Sequence, residues 1–369
     1  MRICIATGLY PPDIGGPATH TVFLEKYAEK LQLSLVVVPF GSVRKYPPVV
    51  RHFIYLAKLI RKSRECDVMY ALDTISVGVP ALIASKFTRK PLILRVPGDY
   101  AWEQGQQRYG ITETLDEFQT HTNHPFSVRV MRWFQQRVAR GARHVVVPSE
   151  YMKSVVEAWG VKPGNITRIY SVLKELDTPK ENRHMRKIND PFVITTAARL
   201  VPWKGIHTLI DVVASLRHDG VPVRLNIIGD GVCRGELEER ARASGAGEHV
   251  HFFGAVSRDV LGKELVRSDA FVLNTSYEGL SHQLIEVMSL GIPIITTPVG
   301  GNVELITHEE TGLMVAYNDA EKLRDAILRL YRDAALGRSL ALRALTIMHR
   351  FNEDQIVTEF DALFTRVWK

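Results

Sequence analysis

The sequence predicts an α/β protein made of two domains, each built on a parallel β-sheet. The chain has 369 residues, which is more than a single hydrophobic core usually accommodates. In both halves, short apolar segments rich in β-branched residues alternate with amphipathic segments, as strands and helices alternate in parallel sheets. A polar stretch without apolar periodicity, residues 174–190, separates the two series and predicts a linker.

The first half of the chain predicts a domain over residues 1–175. Its apolar segments have the composition of buried parallel strands, and the segments between them repeat apolar residues at helical spacing. We predict strands at RICIAT, LSLVVVP, DVMYAL, PLILRVP and HVVVPS, and helices over residues 19–31, 49–64, 76–87 and 127–140.

The alternation restarts after a linker over residues 176–190 and predicts a second domain over residues 191–351. We predict strands at PFVITTAAR, VRLNIIG, VHFFG, AFVLNT, PIITTP and GLMVA, and helices over residues 205–217, 235–243, 258–267, 282–290 and 320–334. Two similar α/β domains leave a cleft between them, where we expect ligands to bind.

Charge is spread unevenly along the chain. Residues 1–180 contain 25 Lys and Arg against 15 Asp and Glu, whereas residues 181–369 contain 22 against 25. The basic first half indicates an anionic partner. The sequence has no apolar run of about 18 residues that could span a bilayer, and its N-terminal apolar run predicts a strand, so we do not expect export. Three scattered cysteines fit a reducing cytoplasm.

Two carboxylates stand near one predicted helix start, in the segment SYEGLSHQLIEV. Glu278 and Gly279 lie in the loop after a strand, and Glu286 lies in the helix that follows. The free N–H groups near Leu280 and Ser281 suit an anion or sugar hydroxyls, and carboxylates accept hydrogen bonds from vicinal hydroxyls. The alternative is that Ser281 only caps a surface helix and both glutamates are solvated.

Two cations follow the first strand of the second domain, in AARLVPWKGIHTL. Arg199 and Lys204 lie in this loop, where two fixed cations can neutralise a diphosphate. The alternative is ordinary surface charge. Because the sequence has no Asp-x-Asp and no cluster with metal-ligand spacing, we expect no metal, and protein cations must then meet the charge of the leaving group.

Two loops of the first domain also follow strands. Gly15 and Gly16, in GLYPPDIGGPATH, allow the backbone to approach a ligand, although a plain turn would look the same. Asp99, in LRVPGDYAWEQG, stands at a strand end, the usual place for chemistry in open α/β sheets. Its alternative role is a local Asx turn after Gly98.

These segments resemble those of the retaining glycosyltransferases of family four, whose GT-B fold has two Rossmann-like domains facing each other across a cleft. The resemblance covers nearly the whole chain. Its most specific parts are the E-x7-E element, Glu278 to Glu286, and the R-x4-K element, Arg199 to Lys204. The final segment, about residues 352–369, resembles the helix that crosses back to the first domain.

The resemblance implies a metal-independent enzyme that moves a hexose-type sugar from a UDP- or GDP-sugar to a saccharide or lipid-linked acceptor, as in cell-surface polysaccharide biosynthesis. It implies that Glu286 holds the ribose hydroxyls, that Glu278 and the backbone of Gly279, Leu280 and Ser281 hold the sugar, and that Arg199 and Lys204 hold the diphosphate. Gly15, Gly16 and Gly254 complete the expected donor site. Same-face attack, with the leaving phosphate taking the acceptor proton, requires no dedicated base.

One position departs from the family pattern. Many relatives carry a histidine in the loop after the fourth strand, where this sequence reads PGDYAWE. Asp99 is the nearest candidate for a catalytic role there, beside Glu278, Arg199 and Lys204, and His20 and His121 are weaker ones. A carboxylate at this position could support an oxocarbenium-like centre or bind an acceptor hydroxyl.

Two basic amphipathic segments, residues 49–64 and 128–143, could seat on an anionic membrane surface, or cover their own domain core with a solvated basic face. We therefore expect a cytoplasmic protein with a peripheral position at the inner membrane face. A basic nucleic-acid-binding or membrane-binding protein without catalysis remains an alternative, although it leaves the glutamates unexplained and we expect no nucleic acid partner. The G-x-G of IIGDGVCRG suggests a nicotinamide-dependent oxidoreductase, but the acidic residue that such a site needs is missing.

Overall fold

The computed structural model describes residues 1–13, 15–171 and 190–368. Two compact units are present. Unit 1 contains residues 1–172 and 351–369, and unit 2 contains residues 173–350. The linker predicted over 176–190 lies outside the described residues, apart from Asp190.

Unit 1 is built on a six-stranded parallel sheet in the order β2-β1-β3-β4-β5-β6. Its strands are β1 (Arg2–Thr7), β2 (Ser34–Pro39), β3 (Val68–Ala71), β4 (Leu92–Arg95), β5 (His144–Val147) and β6 (Ile166–Arg168). Its helices are α1 (Gly16–Tyr27), α2 (Pro48–Ser63), α3 (Gly78–Thr88), α4 (Tyr100–Arg108), α5 (Leu115–Thr120), α6 (Phe126–Gly141), α7 (Glu150–Ala158) and α14 (Glu353–Trp368).

Unit 2 repeats this architecture with the strand order β12-β11-β10-β7-β8-β9, again parallel throughout. Its strands are β7 (Phe192–Ala197), β8 (Val223–Ile228), β9 (Val250–Gly254), β10 (Ala270–Leu273), β11 (Ile294–Thr296) and β12 (Leu313–Met314). Its helices are α8 (Ile206–His218), α9 (Arg234–Ala243), α10 (Arg258–Val266), α11 (His282–Ser289), α12 (Ala320–Arg332) and α13 (Ala334–Leu345).

The predicted α/β class with two parallel sheets is confirmed, and every predicted strand is present. The prediction missed β6, a three-residue strand with a single buried side chain, Ile166. So short a segment has no period-2 or apolar signal to detect. It also missed α4, α5, α7 and α13 as separate helices. Polar caps mark several of the observed helix starts, as when Asp319 and Asp333 accept hydrogen bonds from the first turns of α12 and α13.

Helix α14 belongs to unit 1 although it follows unit 2 in sequence. Its buried face, with Phe360 and Phe364, joins the core formed by α1 and the central strands. Because Phe360, Phe364, Ile3 and Ile5 are all fully buried there, α14 is an integral layer of unit 1.

Helix α2 buries a different face from the one that its sequence suggests. Helical spacing in the sequence puts Val49, Phe53, Leu56 and Ile60 on one apolar face. Phe53 is nevertheless 69% exposed, whereas Tyr55 and Leu59 are fully buried. The hydroxyl of Tyr55 donates to the carbonyl of Val38 at 2.8 Å, which ties the helix to the end of β2. Tyr55 is buried because its hydroxyl group finds a hydrogen-bond acceptor there, and the ring of Phe53 lies at the surface.

Candidate functional site

The charged residues predicted in unit 2 follow two neighbouring strands. Strands β7 and β10 pair in parallel at the centre of the sheet, with β8 and β9 on one side and β11 and β12 on the other. The loop after β7 carries Arg199 and Lys204, and the loop after β10 carries Glu278. Because the strand order reverses here, these loops diverge at the carboxyl edge of the sheet, where open α/β sheets bind ligands.

The structure brings Lys204 and Glu278 together. The ammonium group of Lys204 donates to Oε1 of Glu278 in a close ion pair, and the two side chains are only 9% and 13% exposed. The alternative interpretation of solvated surface charges is therefore wrong for both residues. A mostly buried ion pair of this kind is weakly screened and holds both groups in a defined position.

The Lys204 loop is held by hydrogen bonds to the β10 loop. Gly205 adopts a left-handed conformation with φ +53°, and a Cβ added there would lie 2.5 Å from Nδ2 of Asn274. That amide donates to the carbonyl of Gly205 at 2.9 Å and to Oδ1 of Asn318 at 3.0 Å. The backbone N–H of Ser276 donates to the carbonyl of Trp203 at 2.9 Å. These contacts fix the position of the Lys204 loop relative to the loop that carries Glu278.

The Glu278 loop is backed by the loop after β11. The N–H of Gly301 donates to the carbonyl of Glu278 at 2.9 Å. A Cβ on Gly300, whose φ is +52°, would lie only 2.0 Å from that carbonyl oxygen, and one on Gly301 would lie 2.4 Å from the carbonyl of Gly279. The two glycines of PVGG are therefore required by the close approach of two loops.

Glu286 lies one turn into α11 and pairs with a cation that the sequence did not single out. Nη1 of Arg258, the first residue of α10, donates to Oε1 of Glu286 at 2.8 Å, and Glu286 is 10% exposed. Ser281 caps α11 through Oγ, which accepts from the N–H of Leu284 at 3.3 Å. Searching for cations after each strand of the second sheet would have found Arg258, which follows β9.

Arg199 is exposed and lies over the buried ring of Trp203, with 5.8 Å from the guanidinium carbon to the ring centroid. Stacking on an indole orients the guanidinium plane. Leu280 and Gly279 continue the Glu278 loop, and Leu280 is 6% exposed. The two cations of the R-x4-K element thus differ, since Lys204 is buried in an ion pair and Arg199 is at the surface.

The glycines of IIGDGVCRG serve packing between loops. A Cβ on Gly229 would lie 1.9 Å from the carbonyl oxygen of Ala198, and one on Gly231 would lie 2.4 Å from that of Leu200. The N–H of Gly229 donates to the carbonyl of Gly254 at 2.9 Å, and Gly254 has φ +69°. This close packing accounts for the G-x-G without any dinucleotide.

In unit 1, the predicted glycines stand at the start of α1. Gly15 is the residue before α1, and a Cβ there would lie 2.6 Å from Cδ1 of Leu9. Gly16 is the first residue of α1, and a Cβ there would meet no atom within 4 Å. Packing within the described residues therefore accounts for Gly15 and not for Gly16, whose role toward a ligand stays a prediction.

Asp99 has a structural environment in place of the catalytic one expected from the sequence. It is fully buried and caps α4, with Oδ1 accepting from the N–H of Trp102 at 2.9 Å and from Nε2 of Gln135 at 2.8 Å. Oδ2 accepts from Nε2 of Gln119 at 2.9 Å. Burial raises the pKa of this carboxyl group. With both oxygens engaged, Asp99 organises α4, α6 and the segment between them, much as the Asx-turn alternative suggested.

The two fallback histidines also have structural partners. His20 is buried, with Nε2 lying 3.0 Å from the hydroxyl of Tyr70 and the ring packed against Phe360 of α14. His121 is exposed and lies with Nδ1 3.0 Å from Oε1 of Glu113. Neither environment resembles that of a group poised to exchange a proton with a substrate.

Within residues 1–13, 15–171 and 190–368, no three or more His, Cys, Asp or Glu side chains are grouped so as to hold a metal ion. None of the helices in those ranges combines the length and apolar character needed to cross a bilayer.

The carboxyl edge of the unit 2 sheet carries two carboxylates, each held by a cation, and Arg199 lies in the loop after β7 at the same edge. Such an arrangement can accept hydrogen bonds from hydroxyl groups and donate to phosphate oxygens.

Two family models match the chain. The model described as Glycosyltransferase Family 4 matches residues 17–172, and the model described as Glycosyl transferases group 1 matches residues 177–344. Between them the two matches take in most of both units.

Among characterised relatives, the chain is 30% identical over 172 residues to the GDP-mannose-dependent alpha-(1-6)-phosphatidylinositol monomannoside mannosyltransferase of Mycobacterium tuberculosis. It is 32% identical over 187 residues to the lipopolysaccharide core biosynthesis glycosyltransferase LpsE of Rhizobium meliloti. The matches take in 44% of this chain and 45% of the mannosyltransferase, and 50% of this chain and 51% of LpsE. The chain therefore matches about half the length of these relatives.

Solved structures share the fold over the full chain. Anabaena HepE in complex with UDP superposes with a TM-score of 0.74 at 19% identity, covering 99% of this chain and 100% of HepE. Sucrose-phosphate synthase from Thermosynechococcus elongatus superposes with a TM-score of 0.77 at 17% identity, covering 100% of this chain and 99% of that one. At these identities the likeness concerns the fold, which is that of GT-B glycosyltransferases.

Proposed function

This chain belongs to the group 1, family 4 glycosyltransferases, and on that premise we propose that it transfers a hexose-type sugar from a nucleotide-diphosphate sugar with retention of anomeric configuration. The observation that carries the proposal is two ion pairs at the carboxyl edge of the unit 2 sheet, Lys204 with Glu278 and Arg258 with Glu286, in which both glutamate side chains are at most 13% exposed. Each glutamate can accept hydrogen bonds from hydroxyl groups and is held in place by a cation. Each cation can donate hydrogen bonds to phosphate oxygens and is held in place by a glutamate.

We propose that the donor groups bind along this edge as the resemblance to the family implies. Glu286 takes the ribose hydroxyls, and Glu278 with the backbone of Gly279, Leu280 and Ser281 takes the sugar. Lys204 and Arg199 take the diphosphate. Because Lys204 and Glu278 are already in contact, a bound donor has to share Lys204 between its phosphate and Glu278, which sets the sugar and the phosphate side by side.

The reaction that we propose breaks the bond between the anomeric carbon and the diphosphate oxygen and forms a bond from that carbon to the acceptor oxygen on the same face. The acceptor proton passes to the departing phosphate oxygen, so no side chain needs to act as a base. Lys204 and Arg199 stabilise the negative charge that develops on the diphosphate, and tight positioning of the two reactants supplies much of the remaining rate enhancement. We propose that these cations suffice without a metal ion.

The donor base and the acceptor follow by analogy. The mannosyltransferase relative is named for GDP-mannose and the HepE structure holds UDP, so we propose a UDP- or GDP-sugar as the donor. The LpsE relative is named for lipopolysaccharide core biosynthesis. We therefore propose as the acceptor a saccharide, free or lipid-linked, of a growing cell-surface polysaccharide.

A panel of UDP- and GDP-sugars tests this function. Binding is scored as a rise in the thermal unfolding midpoint, and turnover as slow release of the nucleoside diphosphate without acceptor. One donor should do both, and adding a chelator should leave the release unchanged. NAD and NADP serve as controls of similar charge. If only a nicotinamide nucleotide raises the midpoint, the proposal is refuted, and loss of turnover on chelation would refute the metal-independent mechanism alone.

A further inference from the structure

Three helices form one side of unit 1. Helix α3 packs between α2 and α6. Its contact with α6 is so close that a Cβ added to Gly141 would lie 2.9 Å from Cδ1 of Leu82. Because the three helices lie side by side over one parallel sheet, their outward residues present a single surface, which we call the α2–α3–α6 surface.

The charge of this surface has one sign. The three helices contain four cationic residues in α2, one in α3 and four in α6, and no Asp or Glu. Helices of unit 2 mix both signs, as in RGELEERARA of α9 and AEKLRDAILRLYR of α12. Nine cations without a counter-charge on adjacent helices produce a positive field that attracts an extended anionic partner.

Large aromatic side chains project from the same helices. Phe53 of α2 is 69% exposed, Phe87 of α3 is 73% exposed, and Phe126 and Trp133 of α6 are 78% and 55% exposed. Exposing an aromatic ring to water is unfavourable, so three phenyl rings and one indole on neighbouring helices are unusual for a free surface. Aromatic rings interspersed with Arg and Lys are typical of surfaces that enter the interface of a lipid bilayer.

Helix α6 separates its two faces cleanly. At 100° per residue, Phe126, Trp133 and Arg137 point in nearly one direction, while Val128 and Gln135 point the opposite way and are fully buried. The outward face therefore does not cover the core of unit 1. As the alternative from the sequence expected, α6 covers the core with one face, and Phe126, Trp133 and Arg137 lie on the other.

An open cavity of about 570 Å³ lies against the first half of α6. Its lining includes Phe126, Trp133, His124, Arg129 and Arg132. Arg132 donates to the carbonyls of His121 and Gln119, each at 2.6 Å, and so anchors the segment that forms the far wall. Arg129 is exposed and forms no ion pair with any other described residue. The cavity thus combines the guanidinium of Arg129 with the aromatic rings of Phe126 and Trp133, which suits a phosphate group attached to an apolar chain.

We propose that the α2–α3–α6 surface docks on a bilayer of anionic phospholipid, with Phe126 and Trp133 entering the interface and a lipid phosphate bound at Arg129. Four rings spread over three helices need a broad apolar partner, which a bilayer provides and a nucleic acid does not. The binding is independent of the proposed reaction, because none of these residues belongs to the donor site.

The test is flotation of the whole protein with vesicles of phosphatidylcholine, with and without phosphatidylglycerol. The protein should float only with the anionic vesicles, and rising salt should release it, because the screening length shortens. The double variant R129E/R137E should bind at least about tenfold more weakly, since it replaces two cations that attract the anionic surface with two anions that repel it. The control R332E/R338E reverses two exposed arginines of unit 2 and should bind as the unaltered protein does.

Tryptophan fluorescence tests the insertion of α6 separately. Trp133 and Trp368 are each 55% exposed, whereas Trp102, Trp159 and Trp203 are at most 2% exposed. In a Trp368→Phe background, anionic vesicles should shift the emission to shorter wavelength, and brominated lipid should quench it. Trp133→Ser should weaken flotation about tenfold, while Trp368→Ser should not. Thermal unfolding and donor hydrolysis without vesicles check that each variant is folded.

Four results would overturn the proposal. The first is binding to neutral vesicles as tight as to anionic ones, and the second is equal binding of R129E/R137E and R332E/R338E to anionic vesicles. The third is tighter binding to a short duplex DNA or RNA than to anionic vesicles at the same salt. The fourth is concentration-dependent dimerisation that Trp133→Ser abolishes. The last two would assign the surface to nucleic acid or to a second copy. Failure here leaves the proposed transfer reaction untouched, because that reaction is measured without lipid.

Discussion

The two units share an architecture but treat their charged side chains in opposite ways. In unit 2, Lys204 pairs with Glu278 and Arg258 pairs with Glu286, and the side chains of both glutamates are at most 13% exposed. In unit 1, the helices α2, α3 and α6 carry cations and no acids. Buried pairs hold groups in place for a small ligand at short range, whereas unpaired exposed cations act over about a Debye length, roughly 8 to 10 Å. The difference separates the proposed donor site from the proposed docking surface.

The largest expected effect tests the paired charges of unit 2. Lys204→Ala should lower kcat/KM for donor turnover by about 100-fold or more, because a positioned cation stabilises the charge that develops on the leaving diphosphate. Glu286→Ala should chiefly raise the KM for the donor. Lys263→Ala, at an exposed lysine of α10, is the matched control and should change neither. If Lys204→Ala retains normal kinetics, the paired charges are structural and the comparison fails.

The second prediction compares glycines at the loops of the two units. Gly300→Ala should lower the free energy of unfolding by about 3 kcal/mol, since its Cβ would lie 2.0 Å from the carbonyl oxygen of Glu278 at φ +52°. Gly16→Ala should leave stability within about 0.5 kcal/mol, because no atom lies within 4 Å of its Cβ. Urea unfolding measures both. A donor affinity lowered by Gly16→Ala at unchanged stability would support backbone approach to a ligand, and unchanged affinity would make Gly16 a plain helix start.

The smallest expected effect concerns Asp99 in unit 1. Asp99→Asn places an amide N–H₂ where hydrogen-bond donors already converge, and should lower the free energy of unfolding by about 1 to 2 kcal/mol. The rate constant of the folded enzyme should not change. Asp361→Asn, at an exposed position of α14, is the control and should change neither quantity. A large fall in kcat with an unchanged unfolding midpoint would show that Asp99 acts on the substrate after all.

Part of the candidate site could be read from the sequence because its residues follow strands. Arg199, Lys204 and Glu278 each come a few positions after an apolar segment, and carboxyl ends of parallel strands meet at one edge. Arg258 follows β9 in the same way but has no partner within reach in sequence, so nothing marked it. Its contact with Glu286 joins residues 28 positions apart on two different helices, which is a property of packing.

The glycines show the same limit. A glycine in a loop signals a turn, a close approach or a ligand, and the sequence does not distinguish these because the neighbouring atoms come from another loop. Gly229 and Gly231 suggested a dinucleotide, and the structure shows that they admit the backbone of Ala198 and Leu200. Gly16, which meets nothing, keeps the functional interpretation.

The sequence by itself determined the parallel α/β class and the strands of unit 2, since these rest on local periodicity, and it predicted the donor-site residues from short spacing and the family resemblance. Only the tertiary structure decided which charges are paired and which side of an amphipathic helix is covered. Asp99 became a buried cap and Phe53 an exposed ring because burial depends on which element packs against each face. That choice is made by contacts far apart in sequence, such as those of α14 with the core of unit 1.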